Sequence, residues 1–443
     1  MSQPLSAVQI AERTRSGTMS CVDVVKAALA QIEATDGPVA AWAFLDGEMA
    51  LAQAEALDQM RHHGKPLGRL HGVPVGLKDI IDTADMPTEY GSPIHAGRQP
   101  ETDATLVSKL REAGAVILGK TVTTEFAFMN PSKTANPHDP TRTPGGSSSG
   151  SAAAVAMGQI PLAIGSQTNG SVLRPASFCG VFGFKPSRGI VSRAGVLETS
   201  ATLDQMGVFA NTLPDAALLV DVLGGYDARD PSTYARPKPD ISAGCKAEAP
   251  VAPNLAWFDL PFADRMSDTA KAGFDELLDV LGVRVERVPT PESFGDLLDH
   301  HRTIHEYEIS RNLSQQVDNH WAQISETIQP ILTRGREISD DRYTEALAMA
   351  AGADNFFAQF FNDFDAVITP ASTGEAPLKS AGTGDPVFCT LWTLSGLPCL
   401  TMPVLAGIGD LPIGVQLVGS AEEDDRLFRT ASWLLRTLET PYP

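Results

Sequence analysis

Pro144-Gly145-Gly146-Ser147-Ser148-Ser149-Gly150-Ser151-Ala152-Ala153-Ala154-Val155-Ala156 leads into Leu162-Ala163-Ile164-Gly165 and then Gln167-Thr168-Asn169-Gly170-Ser171. A Gly/Ser cluster alone reads as a flexible linker. Linkers, however, do not run directly into an Ala-rich helix (Ser151 to Met157), a short apolar strand (Leu162 to Gly165) and a second Gly-Ser turn. Two serine-bearing turns flanking one helix–strand unit predict loops that meet at one end of a sheet. There, backbone amides and hydroxyls can be aimed at a common point.

The alternation extends outward. Upstream, apolar spacing predicts helices over Ala7 to Arg15, Val22 to Ile32 (Ser20 as N-cap) and Gly47 to His62. A strand at Val73 to Leu77, a helix at Asp103 to Glu112 and a strand at Ala115 to Leu118 follow. Downstream, Gly224 to Pro253 reads as a surface excursion. It is followed by a strand at Leu255 to Asp259, a helix at Ser267 to Leu281, a strand at Val283 to Val288, and mainly helix from Phe294 to Phe361. Strands return at Ala366 to Thr369, Cys399 to Val404 and Ile413 to Gly419, before a last helix from Glu422 to Leu438. Strands alternating with helices predict an α/β sheet covered on both faces.

The chain has 443 residues, 43% of them hydrophobic, which is enough for a large core and excludes general disorder. With 34 Lys plus Arg against 54 Asp plus Glu, the net charge is −20. That balance repels phosphate backbones and anionic bilayers and argues against nucleic-acid and membrane partners. No apolar run is long enough to span a membrane, and the start lacks a signal-peptide pattern. Five scattered cysteines (Cys21, Cys179, Cys245, Cys389, Cys399) predict reduced, buried thiols and a cytoplasmic setting.

Three motif matches are decoys. Gly114 to Thr121 satisfies a phosphate-loop pattern, but its variable positions, Ala-Val-Ile-Leu, make a buried strand rather than a loop. Gly146 to Gly150 fits G-x-S-x-G, but a Pro-rich loop precedes it where a nucleophile elbow needs an apolar strand. His301 and His305 with Glu308 mimic metal-ligand spacing. Without a further ligand they read as a partly exposed helix face, and no metal is expected.

The Pro144–Ala156 segment, with Gln167–Ser171 and Arg174-Pro175-Ala176, resembles the amidase signature family. His71-Gly72-Val73-Pro74-Val75-Gly76-Leu77-Lys78-Asp79 is similar to its lysine segment, and Gly119 through Phe126 to the stretch between. Ser395-Gly396-Leu397-Pro398 and Gly414 to Gly419 resemble its C-terminal elements; the likeness lapses across roughly Gly224 to Phe364. The resemblance implies one α/β/α sandwich around a large mixed sheet over residues 1–443, with a signature core at 63–190. It also implies a variable, mainly helical, substrate-shaping region at 225–364 and a return to the core at 365–443.

It further implies a Ser–Ser–Lys triad without cofactor: Ser171 as nucleophile, Ser147 as bridge after a cis peptide bond, and Lys78 as base. Lys78 serves only when neutral, which requires burial, and Asp79 beside it should point elsewhere. Thr168, Asn169, Gly170 and Ser171 would supply oxyanion amides, each worth about 3 kcal/mol. Ser148 would support the network, while Phe126, Phe128 and Met129 either line the acyl pocket or pack the core.

Two departures stand out: Gln167-Thr168-Asn169-Gly170-Ser171 replaces the common Asp-Thr-Gly-Gly-Ser, and Arg174 follows the nucleophile by three residues rather than two. Asn169 is admissible because Asn tolerates left-handed angles. This variant resembles the malonamidase and carboxybiuret-hydrolase branch, where the arginine engages a substrate carboxylate; bracing of the loop is the plainer role for Arg174. The expected activity is hydrolysis of a small linear amide, with esters and carbamates open as substrates and a homodimer open as an assembly. The alternatives are the amidase component of a glutamine-dependent tRNA amidotransferase, which the unusual turn and acidic charge disfavour, and a noncatalytic binding protein on the same scaffold.

Overall fold

In the computed structural model, residues 5–291 and 293–439 are described. Eleven strands form one sheet: β1 (Trp42–Leu45), β2 (Pro74–Lys78), β3 (Val116–Thr121), β4 (Leu162–Gln167), β5 (Phe182–Lys185), β6 (Gln205–Ala210), β7 (Leu255–Asp259), β8 (Val285–Pro289), β9 (Ala366–Pro370), β10 (Cys399–Ala406) and β11 (Pro412–Val418). Their order is β1-β3-β2-β4-β6-β5-β10-β11-β9-β7-β8. The sheet is mixed: β3-β2-β4 and β9-β7-β8 pair in parallel, and the other pairs are antiparallel.

Strand alternation sorts the side chains onto two faces. Leu162 and Ile164 of β4 join one apolar core, which includes residues of the helices Ala7–Ser16, Thr105–Glu112, Leu213–Leu223 and Asp424–Glu439. Ala163 between them joins another core, built with the helices Cys21–Thr35, Ser149–Ala156 and Leu173–Cys179. The N-cap at Ser20 forms as the sequence predicts, its side chain accepting from the Asp23 amide. Among the described residues no helix is long and apolar enough to cross a membrane, and all five cysteines are buried and unbridged.

The segment at 225–364 does not leave the sheet. Its β7 and β8 extend the sheet beyond β9, and its later helices, among them Phe294–Asn312 and Asp340–Phe360, pack in one core with Phe258, Val367 and Val418 of the sheet. The decoy at Gly114–Thr121 resolves as β3. Gly119 is required there because a Cβ would lie 2.2 Å from the Phe44 carbonyl oxygen, and the Lys120 amine is buried on Ile81 and Thr88 rather than free for phosphate.

Parallel pairing positions the site. In β2 and β4, Leu77 pairs with Ile164, so both strands end at the same sheet edge. That edge carries Lys78 as the last residue of β2 and the Thr168–Ser171 turn directly after β4. The loop that follows β3, their parallel neighbour, returns through Ser147 into the helix Ser149–Ala156. Open α/β sheets bind ligands outside the carboxyl ends of such strands.

Candidate active site

Lys78 is wholly buried and its Nζ donates to two hydroxyls, Ser147 Oγ at 2.6 Å and Ser166 Oγ at 2.8 Å. Neither partner is charged. Desolvation therefore dominates and pulls the Lys78 pKa down to about 7, with the Asp204 carboxylate pulling weakly the other way. Asp79 points elsewhere, its carboxylate accepting from the Glu89 amide and lying near Lys120. The Gly146–Ser147 bond is cis. Ser148 crosslinks the two serine segments: its Oγ donates to the Ser166 carbonyl at 3.2 Å and accepts from the Ser166 amide at 3.3 Å. Gly165 leaves room for that hydroxyl, since a Cβ there would lie 2.6 Å from Ser148 Oγ.

The turn carrying Ser171 is held at every residue before it. Gln167 Oε1 accepts from the amides of Val172 and Leu173 (2.8 and 3.0 Å), and its Nε2 donates to Thr393. The Thr168 hydroxyl donates to Asp204, and the Thr168 carbonyl accepts from His301 Nε2 at 2.9 Å. Asn169 accepts from Thr390 through Oδ1 (2.7 Å) and from Thr393 through its carbonyl. Gly170 sits against Pro386, with 2.9 Å from a hypothetical Cβ to the proline Cβ. Ser171 itself is half-buried, and its hydroxyl has no hydrogen-bond partner among the described residues. A sealed amine, a buried hydroxyl beside it and a more open, unpartnered hydroxyl are the groups that acyl transfer uses.

Beside the turn lies a cavity of about 300 Å³ whose lining includes Phe128, Met129, Asn169, His301, His305 and Thr390. Phe128 packs edge-on against His305, with ring centroids 4.8 Å apart. Phe126 is fully buried in the core, so of the three pocket candidates only Phe128 and Met129 reach the cavity.

Residues 23–428 match the Amidase family model. The chain belongs to the amidase family. It is 34% identical to a glutamyl-tRNA(Gln) amidotransferase subunit from Chloroflexus aggregans, covering 94% of this chain and 92% of that one. It is also 34% identical to the protein of the same name from Streptomyces coelicolor, covering 97% and 95%. Among solved structures, one described as "An unexpected vestigial protein complex reveals the evolutionary origins of an s-triazine catabolic enzyme" superposes with a TM-score of 0.91. It is 30% identical, with 98% of both chains covered. Peptide amidase from Stenotrophomonas maltophilia superposes at 0.83 with 28% identity, covering 98% of this chain and 97% of that one.

Within this amidase-family chain, two expectations need correction, and the plainer role expected for Arg174 is the one seen. Asn169 does not occupy the left-handed region; its side chain anchors the turn to the helix Val387–Leu394 instead. On the His301–Glu308 face His301 and Glu308 are buried and only His305 is half-buried, and the three groups diverge. His301 meets Thr168, His305 meets Phe128, and Glu308 accepts from Ser200, Thr202 and Tyr343. Arg174 is buried and braces the loop, its Nη2 donating to the Gly146 carbonyl at 2.8 Å and to Thr383 at 3.3 Å, while Nε and Nη1 have no partner.

Sequence reading missed Ser166 and Asp204, and took His301 for part of a helix face rather than a partner of Thr168. Ser166 stands one residue before Gln167, and its position at the end of an apolar strand was a usable signal. Asp204 and His301 are 36 and 133 residues from Thr168, and no local pattern ties either of them to that turn.

Proposed function

We propose that this chain hydrolyses a small linear amide through an acyl-enzyme on Ser171. Lys78, when neutral, takes a proton from Ser147, which takes one from Ser171 as its oxygen attacks the amide carbon. The amides of Thr168, Asn169, Gly170 and Ser171 face the oxyanion that forms. Ser147 returns the proton to the leaving nitrogen, ammonia or an amine departs, and water releases the acid by the same relay. The observation that carries this reading is the buried Lys78 amine, held between two neutral hydroxyls with a pKa of about 7. A noncatalytic binder has no use for such a group, because burying an unpaired amine costs several kcal/mol.

Ser171→Ala is the test. Ammonia or amine release from a panel of amino-acid amides, aryl amides and carbamates should fall to background in a folded protein. Retained turnover refutes the triad.

The substrate class has two supported readings. Arg174 leaves two buried guanidinium nitrogens unpartnered, which supports an acyl group bearing a carboxylate, as in the malonamidase-like branch. Similarity to the curated relatives favours the second reading more than the first: the amidase component of a glutamine-dependent tRNA amidotransferase, working with partner chains. Glutamine hydrolysis by the chain, rising with co-purifying partner chains and coupled to amidation of charged tRNA, selects the second. Full turnover of a small amide by the isolated chain selects the first.

A further inference from the structure

The imidazole of His301 comes from the helix Phe294–Asn312, outside the segments that carry Lys78, Ser147 and Ser171. It lines the cavity beside the turn, and its Nε2 lies 2.9 Å from the Thr168 carbonyl. A carbonyl oxygen only accepts, so Nε2 carries the proton and Nδ1 is a bare acceptor. Burial pulls the His301 pKa down to about 4, which keeps that tautomer neutral across ordinary working pH.

The helix is itself locked to the turn by a closed circuit. Glu308 lies seven residues on, two turns along the same face. It accepts from Ser200, from the Thr202 amide at 3.1 Å and from the Thr202 hydroxyl. The same loop holds Asp204, through the amides of Thr199 (2.7 Å) and Ser200 (2.9 Å), and Asp204 takes the Thr168 hydroxyl. Thr168 is thus gripped at its hydroxyl and its carbonyl.

The cationic groups on the cavity are already neutralised: Arg265 pairs with Asp385, Arg302 with Asp299, and Arg334 with Glu306. Asn169 Oδ1 is occupied by Thr390. On the same cavity His305, its ring 5.8 Å from that of His301, has an unpartnered Nε2, but only His301 is tied to the turn, and its Nδ1 stands there as a fixed acceptor.

We propose that His301 is a positioning and specificity residue. Its Nε2–H holds the turn that carries Ser171, and its Nδ1 accepts from a donor on the acyl group, so the chain favours small amides whose acyl portion bears a hydroxyl or amino group. This rests on the amide hydrolysis proposed above.

The experiment measures ammonia release from three substrate pairs that differ by one donor: lactamide and propanamide, glycinamide and acetamide, L-glutamine and glutaramate. Wild type, Ser171→Ala, His301→Phe and His301→Asn are compared. The wild type should favour the donor-bearing member of at least one pair by about tenfold in kcat/KM, the size of one buried hydrogen bond. His301→Phe should bring that ratio toward one and lower kcat on both members. His301→Asn keeps an acceptor near Nδ1 but cannot reach Thr168, so it should lower kcat and retain the ratio. It also stands in if the phenylalanine variant fails to fold. An even wild-type preference, or a ratio that His301→Phe leaves unmoved while turnover still depends on Ser171, overturns the role of His301 alone. Absence of any Ser171-dependent release overturns the hydrolytic reading and this one with it.

Discussion

Replacing Lys78 by methionine should stabilise the protein while abolishing its chemistry, and the size of the gain follows from the site. An unfolded lysine titrates near 10.5, whereas Lys78 in the fold titrates at about 7. Between those values the unfolded chain binds more protons, so this residue's contribution to stability rises with pH from about 7 to about 10.5 and is least favourable below 7. At pH 7 the depression of the pKa costs about 4 kcal/mol. Methionine fills similar space without that cost, but leaves the Ser147 and Ser166 hydroxyls without their amine partner, at about 1 kcal/mol each. The net gain is about 2 kcal/mol at pH 7; it should vanish near pH 9 and turn into a loss of about 1 kcal/mol by pH 10, as the unfolded lysine begins to lose its proton too. Urea unfolding of wild type and Lys78→Met at both pH values measures it, with amide hydrolysis followed in parallel. A variant less stable than wild type by the same amount at both pH values would refute the reasoning, because it would mean that the folded lysine is charged.

Hydrolysis by the wild type should rise with slope one below pH 7 and level off above it: about 1% of Lys78 is neutral at pH 5 and about 90% at pH 8. A kcat/KM profile that is flat over that range, with chemistry rate-limiting, contradicts Lys78 as base. Asp204→Asn removes the carboxylate that raises the Lys78 pKa, so the acid limb should move to lower pH while kcat falls with the loosened Thr168. An unmoved limb would deny that coupling. Gly170→Ala puts a methyl 2.9 Å from the Pro386 Cβ and 3.2 Å from the Cys389 Cβ. Turnover should drop at least tenfold for a stability loss of about 1–3 kcal/mol, read by thermal melting beside kcat. For Arg174→Met, paired amides with and without a free carboxylate decide its role: selective loss on the carboxylate-bearing member shows recognition, and equal loss leaves bracing of Gly146 alone.

Legibility from sequence followed how local the physics was. The helix Gly47–His62 and the strand Leu255–Asp259 occur with the bounds that their own residues predict, because polarity period and capping are local signals. The strands Trp42–Leu45, Phe182–Lys185 and Gln205–Ala210 were not seen. Phe182–Lys185 has only four residues and exists because β6 and β10 pair with its two edges. The helix Val387–Leu394 was missed for another reason: every residue in it is buried, so it shows no polar face to reveal its period.

The same division runs through the site. The sequence singled out Lys78, Ser147 and Ser171 through motifs that resemble those of the amidase signature family, while its residue pattern by itself showed only two serine-bearing turns flanking a helix–strand unit. It also exposed three false motifs by the residues around them. Only the tertiary structure decided the environment of those residues. Burial lowered the Lys78 pKa, Asp204 and His301 came from distant loops and helices to clamp Thr168, and Arg174 turned toward Gly146. The reason is physical: a residue's identity and its neighbours in the chain are written in order, but desolvation and hydrogen-bond partners depend on which distant segments the sheet brings to the same edge.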